Sequence, residues 1–472
     1  MTNLALGIYY KTLIAISKPW WFRTRQNQFF FKRRVVVQKT VLPAKYRKKL
    51  LKRFLKYVSL NTASNDDAPE NQCPTTACQF DLAWMLIDEL RGLGVHDTYV
   101  SDSGYVYGTI PDNLPDHHPA KGRVPVLGLM SHMDTSQAQS GESVKPQIIT
   151  NYQGQDITYP DDQDLALKVS ENPELLNCNG FTIITAGGKT LLGADDKAGI
   201  AEIMTIAEYL IREHLYHGEI RICFNPDEEV GRGTNHIDLE RFSAQYAFTL
   251  DGGREGEIED ECFNAKSAKV VIQGLDVHPG YAKGKMVSAF RVFAWIVNNL
   301  PEEHLPENTE GRQPYRFPHS CPSIPTVEKF EINFLLRAFT EPELEDMETL
   351  LCKLCRKAEH KFPGSKITIT IKDGYKNMKT VMDYHPLVME LLEAACLAQG
   401  ITPIHEPIRG GTDGSTLTIQ RNIPTPNIWA GGMNFHSRLE WVPLEWMVSA
   451  AETTLNIITL WVDHYACPSE NR

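Results

Sequence analysis

Leu191-Leu192-Gly193-Ala194-Asp195-Asp196-Lys197-Ala198-Gly199 sets two adjacent carboxylates between an apolar, strand-like run and a helix-like stretch that opens at Ile200. A carboxylate at the mouth of a strand-to-helix turn is well placed to hold a metal. One Asp can bridge two cations while its neighbour points elsewhere. The same pair would also serve as a plain helix cap, favoured by the helix dipole. What distinguishes it is its company: Ser131-His132-Met133-Asp134, Pro226-Asp227-Glu228-Glu229, Leu250-Asp251-Gly252-Gly253 and Asn434-Phe435-His436.

Working outward, three of these motifs close apolar strands. Val124 to Met130 is a buried strand that runs into His132 and Asp134. Positions i and i+2 of an extended chain point the same way, so imidazole and carboxylate lie side by side. A carboxylate behind a metal-bound imidazole fixes its tautomer and raises its basicity. Glu219 to Phe224 alternates as a strand and leads to Asp227-Glu228-Glu229, whose charges repel unless a cation, a proton or solvent relieves them. Tyr246 to Leu250 is a third strand, ending in Asp251. Each motif alone also fits a strand-end cap or a solvated turn. Their recurrence is what a metal centre at the carboxyl edge of an α/β sheet requires.

The chain has 472 residues, enough for two or three domains with ample core. Its charge is uneven. Residues 1–60 hold fifteen Lys and Arg and no Asp or Glu, and the remainder carries 33 basic against 59 acidic residues. So acidic a body argues against nucleic acid as a partner. Ten scattered Cys outline no disulfide framework, and Cys352 and Cys355 fit two thiols on one helix face. A cytoplasmic protein with reduced thiols is expected. Residues 1–46 form a basic, aromatic extension with no secretory signal pattern. It suits a membrane-surface or targeting segment, or a poorly ordered leader without a role, and it defines no clear membrane partner.

The body begins near Tyr46 with a helical stripe of Leu50, Leu51, Phe54, Leu55 and Val58. A second helix spans Leu82 to Leu93, and a hairpin runs from Tyr99 to Ile110. The texture changes near Asn264. Strand Ala268–Ile272, the turn Val277-His278-Pro279-Gly280, helix Met286–Leu300, a polar Pro-rich stretch over 301–326, strand Lys329–Leu336, helix Glu341–Phe362 and strand Lys366–Lys372 fit a ferredoxin-like inserted domain. The expected architecture is α/β: a mixed-sheet catalytic domain covered by helices (47–262 and 378–472), with an inserted α+β lid (263–377).

Taken together, HMD, GADDKAG, PDEE, LDGG, VHPG, RGGTDG and NFHxxxE resemble the dizinc metallopeptidases related to glutamate carboxypeptidase and aminoacylase, and most closely their tripeptide aminopeptidase branch. The resemblance runs from about Lys48 to the last helix. It implies two zinc ions bridged by Asp195, one also held by His132 and Asp251, the other by Glu229 and His436. It puts Asp134 behind His132, Glu228 as general base, His278 as a lid donor to the oxyanion, and Arg409 near the substrate's carboxylate or carbonyl. Asp196 is then a capping or structural residue. Zinc takes such ligands, and two zinc ions polarise a scissile carbonyl and activate water. Glu228 and Glu229, adjacent on an extended segment, would face opposite sides. The implied activity is release of the N-terminal residue from tripeptides, with a short peptide as partner and a homodimer allowed. An N-acyl amino acid hydrolase or carboxypeptidase on the same dizinc site, or a catalytically dead binding protein, would keep the same fold.

Overall fold

Short runs buried on both faces build the inner strands of the central sheet. The computed structural model describes residues 39–467, so positions 1–38 of the extension lie outside the described residues. Residues 39–46, grouped above with that extension, are packed: Leu42 and Tyr46 are buried, and the Leu42 N–H donates to Glu452 at 2.7 Å. The first helix therefore starts at Ala44 and ends at Val58. Leu50, Phe54 and Val58 are fully buried, while Leu51 and Leu55 flank the core.

An eight-stranded mixed sheet forms the spine. In spatial order its strands are His96–Val100, Val106–Ile110, Ile220–Asn225, Leu127–His132, Tyr246–Gly252, Asn427–Trp429, Glu257–Glu259 and Ile404–His405. The four inner strands from Ile220–Asn225 to Asn427–Trp429 run parallel. They are buried almost throughout, as parallel strands covered on both faces must be. Register pairs His132 with Asn225 and Met130 with Thr249. It thus carries His132, the Asp227 turn and Asp251 to one edge.

Helix Ala194–Glu213 packs on the strands Leu127–His132 and Tyr246–Gly252. Gly199 permits the close approach: a Cβ there would lie 1.9 Å from the Leu250 carbonyl and 2.5 Å from Ser131 Oγ. Helices Ala44–Val58 and Leu444–Ala466 pack on it in turn. A small sheet pairs Trp441–Pro443 with Ile183–Thr185. It brings the segment after His436 beside the segment before Asp195.

Residues 264–373 form a separate four-stranded antiparallel sheet in the order Tyr315–Ser320, Lys329–Ala338, Asn264–Gln273, Lys366–Asp373. Helices Ala289–Val297 and Glu341–Lys361 cover it, and the whole has its own apolar core around Val270, Phe334 and Leu351. The element order is β-α-β-β-α-β, as expected. Strand Tyr315–Ser320 lies inside the stretch read as polar loop. An edge strand tolerates the composition Tyr-Arg-Phe-Pro-His-Ser, including its proline, because one side of its ladder is unpaired.

Candidate metal centre

His132 closes its strand with the imidazole buried. Its Nδ1 lies 3.0 Å from the Asp134 carbonyl oxygen, which only accepts, so Nδ1 carries the proton. Nε2 faces Asp195 Oδ1 at 2.8 Å and Asp251 Oδ1 at 3.5 Å. A ring nitrogen against carboxylate oxygens needs a proton, which makes it a donor to Asp195, or a cation in the proton's place.

Asp195 meets a second imidazole through its other oxygen, with His436 Nε2 3.1 Å from Oδ2. His436 Nε2 is also 2.9 Å from Glu229 Oε2. Glu229 Oε1 is buried without a hydrogen-bond partner among the described residues. Two sets of donor atoms are mutually within 4.8 Å: His132, Asp196 and Asp251, and His132, Asp195 and Glu229.

Asp196 thus stands among the donor atoms, although the sequence reading made it a cap. It is also a cap: Oδ1 accepts from Gly199 N–H at 3.2 Å and Oδ2 from His132 N–H at 3.3 Å. The helix starts at Ala194, not Ile200, but leaves helical dihedrals at Asp195 and Asp196, which lets the two carboxylates diverge.

Glu228 and Glu229 sit in a turn, not the extended segment expected, because two neighbours fold the chain there. Asp134 Oδ1 accepts from Glu228 N–H at 3.0 Å, and Oδ2 from Glu229 N–H at 3.2 Å. Asp227, at φ +61°, is buried and accepts from Thr75 N–H at 2.8 Å and Gln79 Nε2 at 2.8 Å. Sequence reasoning missed Asp227 as an anchor; its position before the two Glu was the only signal.

Electrostatics follow from crowding. Burial pushes the Glu228, Asp251 and Asp196 carboxyls up, and takes Glu229 up to about 7. Burial also opposes ionisation of Asp195, but hydrogen bonds from His132 and His436 outweigh it and hold the carboxyl below its usual range. Hydrogen bonds to Asp195 and Glu229 raise His436 to about 10. The site is an excess of anionic oxygen around two imidazoles. Imidazole and carboxylate donors with an unfilled buried oxygen fit divalent-metal coordination, zinc included.

Two expected residues stand elsewhere. His278 is exposed, and its Nδ1 accepts from Gly280 N–H at 3.1 Å. Arg409 directs Nη1 to the carbonyls of Gly311 at 2.7 Å and Gln313 at 3.0 Å, and Nη2 to Thr309 Oγ1 at 2.7 Å. Its guanidinium ties the polar 309–313 stretch to the segment before Asp413.

The sequence model described as Peptidase family M20/M25/M40 matches residues 187–460. The chain belongs to this family. Peptidase T of Geobacillus kaustophilus is 41% identical over 416 residues, covering 88% of this chain and 98% of that protein. Peptidase T of Clostridium botulinum strain Loch Maree is 42% identical over 417 residues, covering 88% and 100%. The fold is that of the crystal structure of aminopeptidase PepT from Bacillus cereus, at TM-score 0.67 and 22% identity over 88% of this chain and 99% of that one. A dinuclear metal-binding M20 peptidase from Bacillus subtilis shares it at TM-score 0.59 and 12% identity, over 89% and 99%. In this M20/M25/M40 member, the matched segment includes Asp195, Glu228, Glu229, Asp251, His278, Arg409 and His436; His132 and Asp134 precede it.

Proposed function

We propose that the chain is a zinc-dependent aminopeptidase that releases the N-terminal residue from tripeptides. The observation that carries this reading is Asp195: its two oxygens face different imidazoles, His132 and His436, as a carboxylate bridging two cations must. Asp195, His132 and Asp251 would hold one ion, and Asp195, Glu229 and His436 the other. Asp196 lies close enough to His132 and Asp251 to join the first set. The bound metals supply Lewis acidity to the scissile carbonyl and to the attacking water.

The protein's own groups do the rest. Glu228 takes a proton from the water and delivers it to the leaving amine. Asp134 holds Glu228 and Glu229 in register through their N–H groups and steadies the His132 tautomer. His278 reaches the oxyanion when the 263–377 lid closes, and closure excludes water. Arg409 recognises the substrate's carboxylate or carbonyl by exchanging its present carbonyl partners for it. The relatives' printed name, Peptidase T, supports the peptidase reading. The setting is the cytoplasm and the partner a short peptide, with a homodimer allowed. Among the described residues no helix is long and apolar enough to cross a membrane.

The test compares Ala-Ala-Ala with its N-acetylated form, in wild type and Glu228→Gln, both loaded with zinc and checked for metal content. The free tripeptide should be cleaved and the blocked one spared. Glu228→Gln should keep its metals and lose roughly 10²-fold or more in kcat. Cleavage of the blocked peptide alone would sink the aminopeptidase reading in favour of an N-acyl amino acid hydrolase.

A further inference from the structure

Glu440 is buried at 1% exposure and lies far from the Asp195 turn in sequence. Its Oε2 accepts from Leu192 N–H at 2.7 Å and Gly193 N–H at 2.8 Å. Its Oε1 accepts from Asp195 N–H at 3.1 Å. One carboxylate from a distant loop thereby satisfies backbone donors at the head of helix Ala194–Glu213, where the N-cap residue, Gly193, has no side chain to offer.

The same loop carries His436. It is braced internally: Ser437 Oγ donates to the Asn434 carbonyl at 2.7 Å and accepts from Leu439 N–H at 3.1 Å, and Glu440 N–H donates to the Ser437 carbonyl at 3.3 Å. It is closed at its base by pairing between Met433 and Trp441. Asp195 is therefore gripped twice by one internally braced loop, at its carboxylate by His436 and at its backbone N–H by Glu440. His436 is half exposed and meets Asp195 and Glu229 through Nε2 alone, so the loop that carries it sets where its ring stands.

We propose that Glu440 is a positioning residue that sets the spacing between Asp195 and His436, and with it the metal affinity of the site. The inference rests on the metal reading above. A glutamine would keep its oxygen on the two N–H groups of Leu192 and Gly193 and turn its NH₂ toward the Asp195 N–H. Donor would face donor, and the displacement would fall on Asp195. Outer groups of this kind typically change metal affinity or activity by about 10- to 100-fold.

The experiment compares wild type with Glu440→Gln in full-length protein. It measures zinc stoichiometry and affinity by chelator competition, kcat and KM for Ala-Ala-Ala, and the melting temperature of the metal-free proteins. The expected result for Glu440→Gln is zinc bound about 10- to 100-fold more weakly, kcat reduced at limiting zinc and regained at high zinc, and KM little changed. A purely structural role would instead lower the metal-free melting temperature and leave the zinc dependence unmoved, and that result overturns the proposal. Should Glu440→Gln not fold, Glu440→Asp, which keeps the charge but cannot span both sets of donors, carries the same measurement. Wild type binding two zinc ions with the variant binding them equally well refutes this inference alone; wild type that binds no zinc refutes the metal reading and this inference together.

Discussion

At Asp134 two roles meet in one side chain. Both carboxylate oxygens accept from the Glu228 and Glu229 amides, while its backbone carbonyl accepts from His132 Nδ1–H. Asp134→Asn would put an NH₂ group against one of those N–H donors and push that turn outward. We expect metal affinity or kcat to fall roughly 10- to 100-fold, read by chelator competition and steady-state kinetics. Unchanged affinity and rate would remove Asp134 from the support of the site. At this scale the candidate ligands were readable in sequence because His and carboxylate at strand ends are chemically conspicuous. The roles of Asp227 and Glu440, although both stand inside the PDEE and NFHxxxE motifs, were not, because their partners, Thr75 and Gln79 in one case and the Leu192–Asp195 amides in the other, are remote in sequence. Backbone donors also leave no signature in residue type.

Elements dock by apolar stripes and a few buried charges. Helix Ala44–Val58 sets Arg53 against Glu208 at 2.8 Å and Thr205 at 3.0 Å of helix Ala194–Glu213, and against Glu89 of helix Gln79–Leu93 at 2.5 Å. Burial would raise the Glu208 carboxyl, but hydrogen bonds from Lys49 and Arg53 prevail and hold it below its ordinary value. A depressed carboxyl stabilises the fold above the unfolded-state pKa and loses that contribution as pH falls through the folded one. Glu208→Gln should therefore destabilise the fold near neutrality, and the gap from wild type should narrow as pH drops below about 4. Urea denaturation at several pH values checks this; a gap independent of pH would exclude the ion pair as its source. The stripe on Ala44–Val58 was plain from periodicity, while strand Tyr315–Ser320 was hidden because edge position, not composition, makes it a strand.

Across the whole molecule, one region concentrates buried carboxylates at the carboxyl edge of the parallel strands. Removing the metals should leave that repulsion unrelieved. A chelator should abolish peptide hydrolysis and lower the melting temperature, and added zinc should restore both. Ligand at a thousand times its dissociation constant stabilises by about 4 kcal/mol, a shift that thermal denaturation resolves easily. A chelator without effect on either measure would contradict a metal centre. The 264–373 sheet has an apolar core of its own, and His278 in that unit is exposed, which leaves it free for the closure proposed above.

The sequence by itself determined the α/β class, the change of texture near Asn264 and the His and carboxylate candidates at the strand ends. Alternation, helical stripes and strand-end carboxylates are local patterns that need no partner to be recognised. Only the tertiary structure decided that Asp227 turns the chain under Glu228 and Glu229, that Asp196 stands among the candidate metal donors, that Arg409 grips the 309–313 carbonyls, and that Glu440 and His436 hold Asp195 from both sides. These are pairings between segments far apart in the chain. Each depends on where the sheet delivers a backbone N–H or carbonyl, which no residue type announces.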